Sequence, residues 1–290
     1  MAARIPHALE GYLALPPECA QILLTGVLGA STNWLVLRHL YSYLGKPAAN
    51  GAETGAAAVE DVRVVLVSFM RDFAFWKEGA GRLGLDLEGL GRSGKFVFVD
   101  GLSGLFWQEG AAGLPAPAPA KGRTVLRGAR LPDIQRELEG AVAGVSAAGA
   151  RTVLVLDQPD LLLAASVEGL TGLALRNMLL DVQEKVHATV FVVAADEPLV
   201  ASQTTTLEKE HAALVLGLAH AADTVFGLRL LDSGNASDVS GVLRITAGGG
   251  GGSGGDGHGE RGAAGATVEE TELLYFVGGD GSVKVFGRGQ

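Results

Sequence analysis

The sequence predicts an α/β domain built on a largely parallel sheet with helices on both faces. Three observations predict it. Short, near-continuous apolar runs recur along the chain, at residues 62–68, 152–157 and 189–194, which is the pattern of strands buried on both faces. Segments with helical periodicity separate them, as parallel crossover connections require. After Asp223 the alternation gives way to β-rich segments, the last of which contains the hairpin signal Gly279-Asp280-Gly281. These antiparallel C-terminal strands are expected to extend one edge of the sheet.

Taken in order, residues 21–26 form an apolar strand ending in glycine, residues 27–32 a loop, and residues 33–44 an amphipathic helix. A low-complexity stretch near 45–60 reads as a flexible loop. Residues 62–68 are a buried strand and 70–83 a helix, with Phe73, Trp76 and Ala80 at helical spacing. Residues 96–100 are a strand, and 110–122, rich in proline and alanine, an exposed loop. A helix over 131–148 carries Pro132 in its first turn, where proline is tolerated. Strand 152–157, helix 170–186, strand 189–194 and helix 207–221 follow. Three β-rich segments at 224–231, 241–246 and 273–286 close the chain. The glycine-rich tract 248–265 between the last two has too little apolar surface to fold. Alternation followed by a β-rich tail is the order of RecA-like domains. Residues 1–290 are accordingly expected to form a single RecA-like, three-layer domain.

Composition narrows the function classes. With 23 basic and 32 acidic residues the net charge is −9, which disfavours nucleic-acid binding by the chain alone, since phosphate contacts need a local positive field. The single cysteine, Cys19, has no intrachain disulfide partner, and its place before an apolar run reads as a buried thiol. No stretch reaches the roughly 18 apolar residues of a membrane span. A cytoplasmic protein, with a nuclear pool also open, is expected. The histidines are scattered without cysteine company, so no zinc site is expected, and Ser68, Ser103 and Ser166 lack a nucleophile-elbow context.

The strand–loop–helix at 21–44 is where a RecA-like domain holds a nucleotide. A phosphate loop reads G-x-x-x-x-G-K-S/T: its amides cradle phosphates, its lysine neutralises charge, and its hydroxyl binds magnesium. With the first glycine on Gly26, Ser31 stands at the second glycine, Thr32 at the lysine and Asn33 at the hydroxyl. The helix N-terminus still offers a weak anion site, but poor triphosphate affinity is expected. An ordinary strand–helix turn with no ligand is the plainer alternative. The run ending in Asp157 has the form of a magnesium motif, yet Gln158 follows it, and the first carboxylate after strand 62–68 is Asp72. Without a placed base, hydrolysis is not expected, and no cofactor is assigned.

Two further groups are open to more than one reading. Phe73, Phe75 and Trp76, beside Arg71 and Lys77, suit core or subunit packing, or base stacking. His211 and His220 belong to a core or surface helix.

The order of several segments resembles a known family: Val67-Ser-Phe-Met-Arg-Asp-Phe-Ala-Phe-Trp-Lys77, Leu83-Gly84, Phe96-Val-Phe-Val-Asp-Gly-Leu102, Leu105-Phe106 and Leu154-Val-Leu-Asp-Gln-Pro-Asp160. They are similar to subunit six of the eukaryotic Elongator complex. The resemblance implies a RecA-like fold without nucleotide-binding signatures. It implies two copies each of subunits four, five and six in a hetero-hexameric ring. The resemblance further implies that this ring docks on the catalytic Elongator subcomplex, which modifies the wobble uridine of certain transfer RNAs, and that the ring is an ATPase that binds transfer RNA and releases it upon ATP use. RecA-like topology then points any RNA to the loops after Asp157 and Ala194. The second loop carries Ser202, Gln203, Thr204, Thr205, Thr206 and Lys209, suited to a phosphate backbone. A solvated loop with Thr206 capping the next helix is the alternative. An active ATPase with an atypical phosphate loop and a DNA recombination accessory protein stand as competing functions.

Overall fold

A computed structural model describes residues 5–45, 61–104, 121–128, 130–165, 169–232, 234, 236–250 and 268–287. Its strands are β1 (Ala20–Gly26), β2 (Val62–Ser68), β3 (Phe96–Asp100), β4 (Arg123–Val125), β5 (Arg151–Asp157), β6 (Ala188–Ala194), β7 (Thr224–Arg229), β8 (Gly241–Ala247), β9 (Thr271–Val277) and β10 (Val283–Gly287). Its helices are α1 (Asn33–Leu44), α2 (Phe73–Arg82), α3 (Leu87–Arg92), α4 (Leu131–Val145), α5 (Leu161–Ala164), α6 (Gly172–Gln183), α7 (Glu197–Val200) and α8 (Thr206–Ala221).

The strands form one sheet in the order β10-β9-β8-β7-β1-β6-β5-β2-β3-β4. Pairing is parallel from β7 to β4 and antiparallel from β7 to β10. The β-rich tail therefore divides: β7 completes the parallel set beside β1, and only β8, β9 and β10 run as the antiparallel extension. Gly281, with φ near +80°, closes the β9–β10 hairpin, and its amide donates to the Gly278 carbonyl at 2.9 Å.

Alternate residues of each central strand face opposite layers, as a period of two requires. Ile22, Leu24, Val64, Leu66, Val153, Val155, Val190 and Val192 face α1, α2 and α3. Leu23, Val65, Val67, Leu154, Leu156, Phe191 and Val193 face α4, α6 and α8. Each fully buried side chain of this size stabilises the fold by roughly 1.5–3 kcal/mol relative to exposure. Both faces of the strand ends that form the site are thus fixed by packing.

Helix limits follow local chemistry. The helix expected over 70–83 begins only at Phe73, because the Asp72 carboxylate caps it by accepting from the Phe75 amide at 2.9 Å. Thr171 caps α6 by accepting from the Ala174 amide at 3.1 Å. The cap of α8 is Thr205 rather than Thr206: Glu208 lies three residues on and completes a reciprocal capping box. Short α3, β4, α5 and α7 were not among the expected elements, because each is too brief to show a period.

Cys19 corrects an expectation. It is exposed rather than buried, with φ near +64°. The turn through Pro17 places it outside the end of β1, and burial starts at Ala20. The expected loops near 45–60, 110–122 and 248–265 lie almost wholly outside the described residues. Lys121 and Gly122 lead into β4, and the Gly248 amide donates to the Asp223 carbonyl at 3.0 Å. No helix among the described residues is long and apolar enough to cross a membrane.

Candidate functional site

The carboxyl ends of β1, β6, β5 and β2 lie side by side. Gly26 pairs with Ala194, and Ser68 with Asp157. From β1 the chain crosses by α1 to β2 on one side; from β6 it crosses by α8, on the opposite layer, to β7 on the other. Such reversals open a crevice at the strand ends, the usual place for ligands in open α/β sheets.

The loop between Gly26 and Asn33 is folded tightly back on itself. Gly26 has no space for a side chain, since a Cβ there would lie 2.9 Å from the Ala30 carbonyl oxygen. The Ala30 amide donates to the Val27 carbonyl at 2.9 Å, and Gly29 takes φ near +91° to complete the turn. Thr32 occupies the lysine position and is buried. Its carbonyl accepts from the Leu35 and Val36 amides at 2.9 and 3.1 Å. The Asn33 amide meets the Ser31 hydroxyl at 3.3 Å. Leu28 projects from the loop with 86% of its surface exposed, and its amide donates to the Asp196 carboxylate at 2.7 Å.

Asp157 ends β5 with only 1% of its surface exposed. Its Oδ2 accepts a 2.6 Å hydrogen bond from the Ser68 hydroxyl, whose oxygen accepts from the Arg71 amide at 2.9 Å. Burial pushes the Asp157 carboxyl up to about 6, partly opposed by that Ser68 bond. The serine thus stands at the end of β2, where RecA-like enzymes place their base.

Sequence reasoning missed two residues that the fold brings to the same place. Asp160, buried after the turn at Gln158, is pushed by burial up to about 7. Its Oδ2 accepts from the Ala194 amide at 3.4 Å and lies 3.8 Å from His211 Nδ1, while its Oδ1 has no partner among the described residues. His211 Nε2 contacts the Ala194 carbonyl at 2.9 Å, and so donates to it. A carboxylate just after an apolar strand was the available signal, but only the fold shows that Asp160 turns inward and that His211, rather than the exposed His220, meets it.

The loop residues Ser202, Gln203, Thr204 and Thr205, with Lys209 in the first turn of α8, are all exposed on one segment. Their donors are partly engaged. The amides of Thr204 and Thr205 donate to Glu208 Oε2 at 2.6 and 2.9 Å, and Gln203 Nε2 donates to the Val200 carbonyl at 3.2 Å. The Thr204 hydroxyl, which donates to Glu208 Oε2 at 2.5 Å, and then the Thr205 and Thr204 amides hold the Glu208 carboxyl below its usual range, so a negative charge stands among the polar donors.

The aromatic group follows the end of β2, and the Arg71 guanidinium stands 4.9 Å over the Phe75 ring. Trp76 is fully buried and Phe75 meets it edge-on at 5.3 Å. Phe73 packs 5.5 Å from Phe98 and carries the Arg123 guanidinium 3.6 Å above its ring. Trp76 therefore belongs to the core, whereas Phe73 floors a shallow cavity of about 370 Å³ that also borders Arg92 and Lys121.

No cationic side chain stands in the loop between Gly26 and Asn33, and Asp157 Oδ2 is taken by the Ser68 hydroxyl. Among the described residues no group of three or more His, Cys, Asp or Glu is placed to hold a metal ion.

Comparison with known proteins agrees with this architecture. A KaiC-like protein from the hyperthermophilic archaeon Pyrococcus horikoshii OT3 superimposes with a TM-score of 0.57, covering 99% of this chain and 98% of that one at 14% identity. At that identity the likeness shows the fold alone, a RecA-like α/β architecture. No curated protein matches the chain by sequence. The family profile described as Elongation complex protein 6 matches residues 59–257. That is more than half of the chain, and the chain belongs to the Elongation complex protein 6 family.

Proposed function

We propose that this chain is a non-catalytic RecA-like subunit of the Elongator accessory ring. In this reading it assembles with subunits four and five as a hetero-hexamer. It supports transfer RNA binding for wobble-uridine modification by the catalytic subcomplex. Family membership supports the assignment to Elongator. The single observation that carries the non-catalytic part is the buried Ser68–Asp157 pair at 2.6 Å. A carboxylate that is 1% exposed and has one oxygen taken by a serine hydroxyl offers little to hydrated magnesium, and serine in place of a carboxylate cannot activate water. Thr32, at the lysine position, adds no charge for a phosphate.

Co-expression with subunits four and five tests the reading. A stable particle holding two copies of each chain is expected. A chain that stays apart from both at micromolar concentration would remove the ring assignment. ATP hydrolysis by the isolated chain, lost in Asp157→Ala, would instead favour the atypical ATPase.

A further inference from the structure

Asp196 stands at the N-cap of α7, where an aspartate ordinarily accepts from its own helix. It makes no such side-chain bond. Its carboxylate reaches instead across 168 positions of sequence to the Leu28 amide at 2.7 Å. That amide lies in the loop between β1 and α1, the segment whose backbone amides meet an anion in a phosphate loop. The backbone beside it is tied as well: the Ala195 amide donates to the Gly26 carbonyl at 2.8 Å. On the other flank, Asp160 and His211 hold the amide and carbonyl of Ala194. Three successive residues at the end of β6 are therefore bound to the loops after β1 and β5 and to α8.

We propose that the Asp196 carboxylate is the resident anion of the loop after β1, an internal substitute for a ligand phosphate that fixes the polar segment 196–205 to that loop without nucleotide. A short, charge-assisted bond of this kind is stronger than one between neutral groups. The two loops then open and close as one unit. The inference goes beyond the ring reading and does not depend on it, since it concerns the isolated chain.

Amide hydrogen exchange on the full chain, read by mass spectrometry, tests it. In Asp196→Ala, peptides covering 27–32 should exchange faster by about tenfold, the scale of losing a hydrogen bond to a charged group. The peptide covering 197–205 should accelerate with them, and that covering 211–218 should not. Asp196→Asn keeps an acceptor oxygen without the charge and should give an intermediate rate. Glu197→Ala, a neighbouring exposed carboxylate, should leave all three peptides unchanged. Unaltered exchange at 27–32 in Asp196→Ala would overturn the proposal. So would acceleration at 197–205 alone, which would show the two loops moving independently. A chain that fails to assemble with subunits four and five but shows the coupled exchange would remove the ring reading and leave this one standing.

Discussion

Asp157 and Asp160 are two carboxyls buried at neighbouring strand ends, raised to about 6 and about 7 by burial. In the unfolded chain each titrates near its ordinary value of 3.8. Between that value and about 7 the folded state holds protons that the unfolded state has released. Stability must therefore fall as pH rises through this window and level off above it. A loss on the order of a few kcal/mol across the window follows from shifts of this size. Thermal midpoints measured from pH 4 to 8 check the sign, and Asp160→Asn, which cannot ionise, should flatten the fall between pH 5 and 8. A variant with the same slope as the parent would contradict the burial of that group. Ser68→Ala bears on the same pair. It leaves the Asp157 oxygen without its 2.6 Å partner, and a loss of about 1–3 kcal/mol is expected by denaturant titration.

The strongest elements were readable from their periods. Strands β2, β3, β5 and β6 and helix α1 lie where their apolar patterns place them, because burial on two faces leaves little freedom in such runs. What escaped was short or tertiary. Helix α3 and strand β4 are too brief to carry a period, and β4 exists only through its pairing with β3. The cap of α8 shifted by one residue because three threonines adjoin and only Glu208 selects among them. Thr205→Ala removes that cap and should cost about 1 kcal/mol in unfolding free energy. The loop ahead of α8 is less free to meet a phosphate backbone than its composition implied, since Glu208 already takes the Thr204 and Thr205 amides. Lys209 stands as its exposed cation. Lys209→Glu should weaken RNA binding by the assembled ring without dissociating it, as a salt-dependent binding titration would show. Unchanged affinity would take this loop off the RNA path.

At the scale of the whole molecule, the fold class was legible and the site only half so. Gly26 marked the correct strand–helix junction, and the absence of a lysine there was plain in the sequence. The closure of Asp157 by Ser68 was not, because the two residues lie 89 positions apart and meet only through the β2–β5 register. The same holds for Asp196 and Leu28, and for Asp160 and His211: local sequence shows polar residues after strands, and the sheet order decides which of them face inward. In the proposed reading, this RecA-like body is a ring member that shapes the particle while other subunits carry the chemistry. The most direct test is a structure of the ring formed with subunits four and five in the presence of a non-hydrolysable ATP analogue. It should show the loop between Gly26 and Asn33 without nucleotide, with Leu28 still bound to Asp196. Triphosphate seated on the amides of residues 28–32, with magnesium at Asp157, would contradict the account.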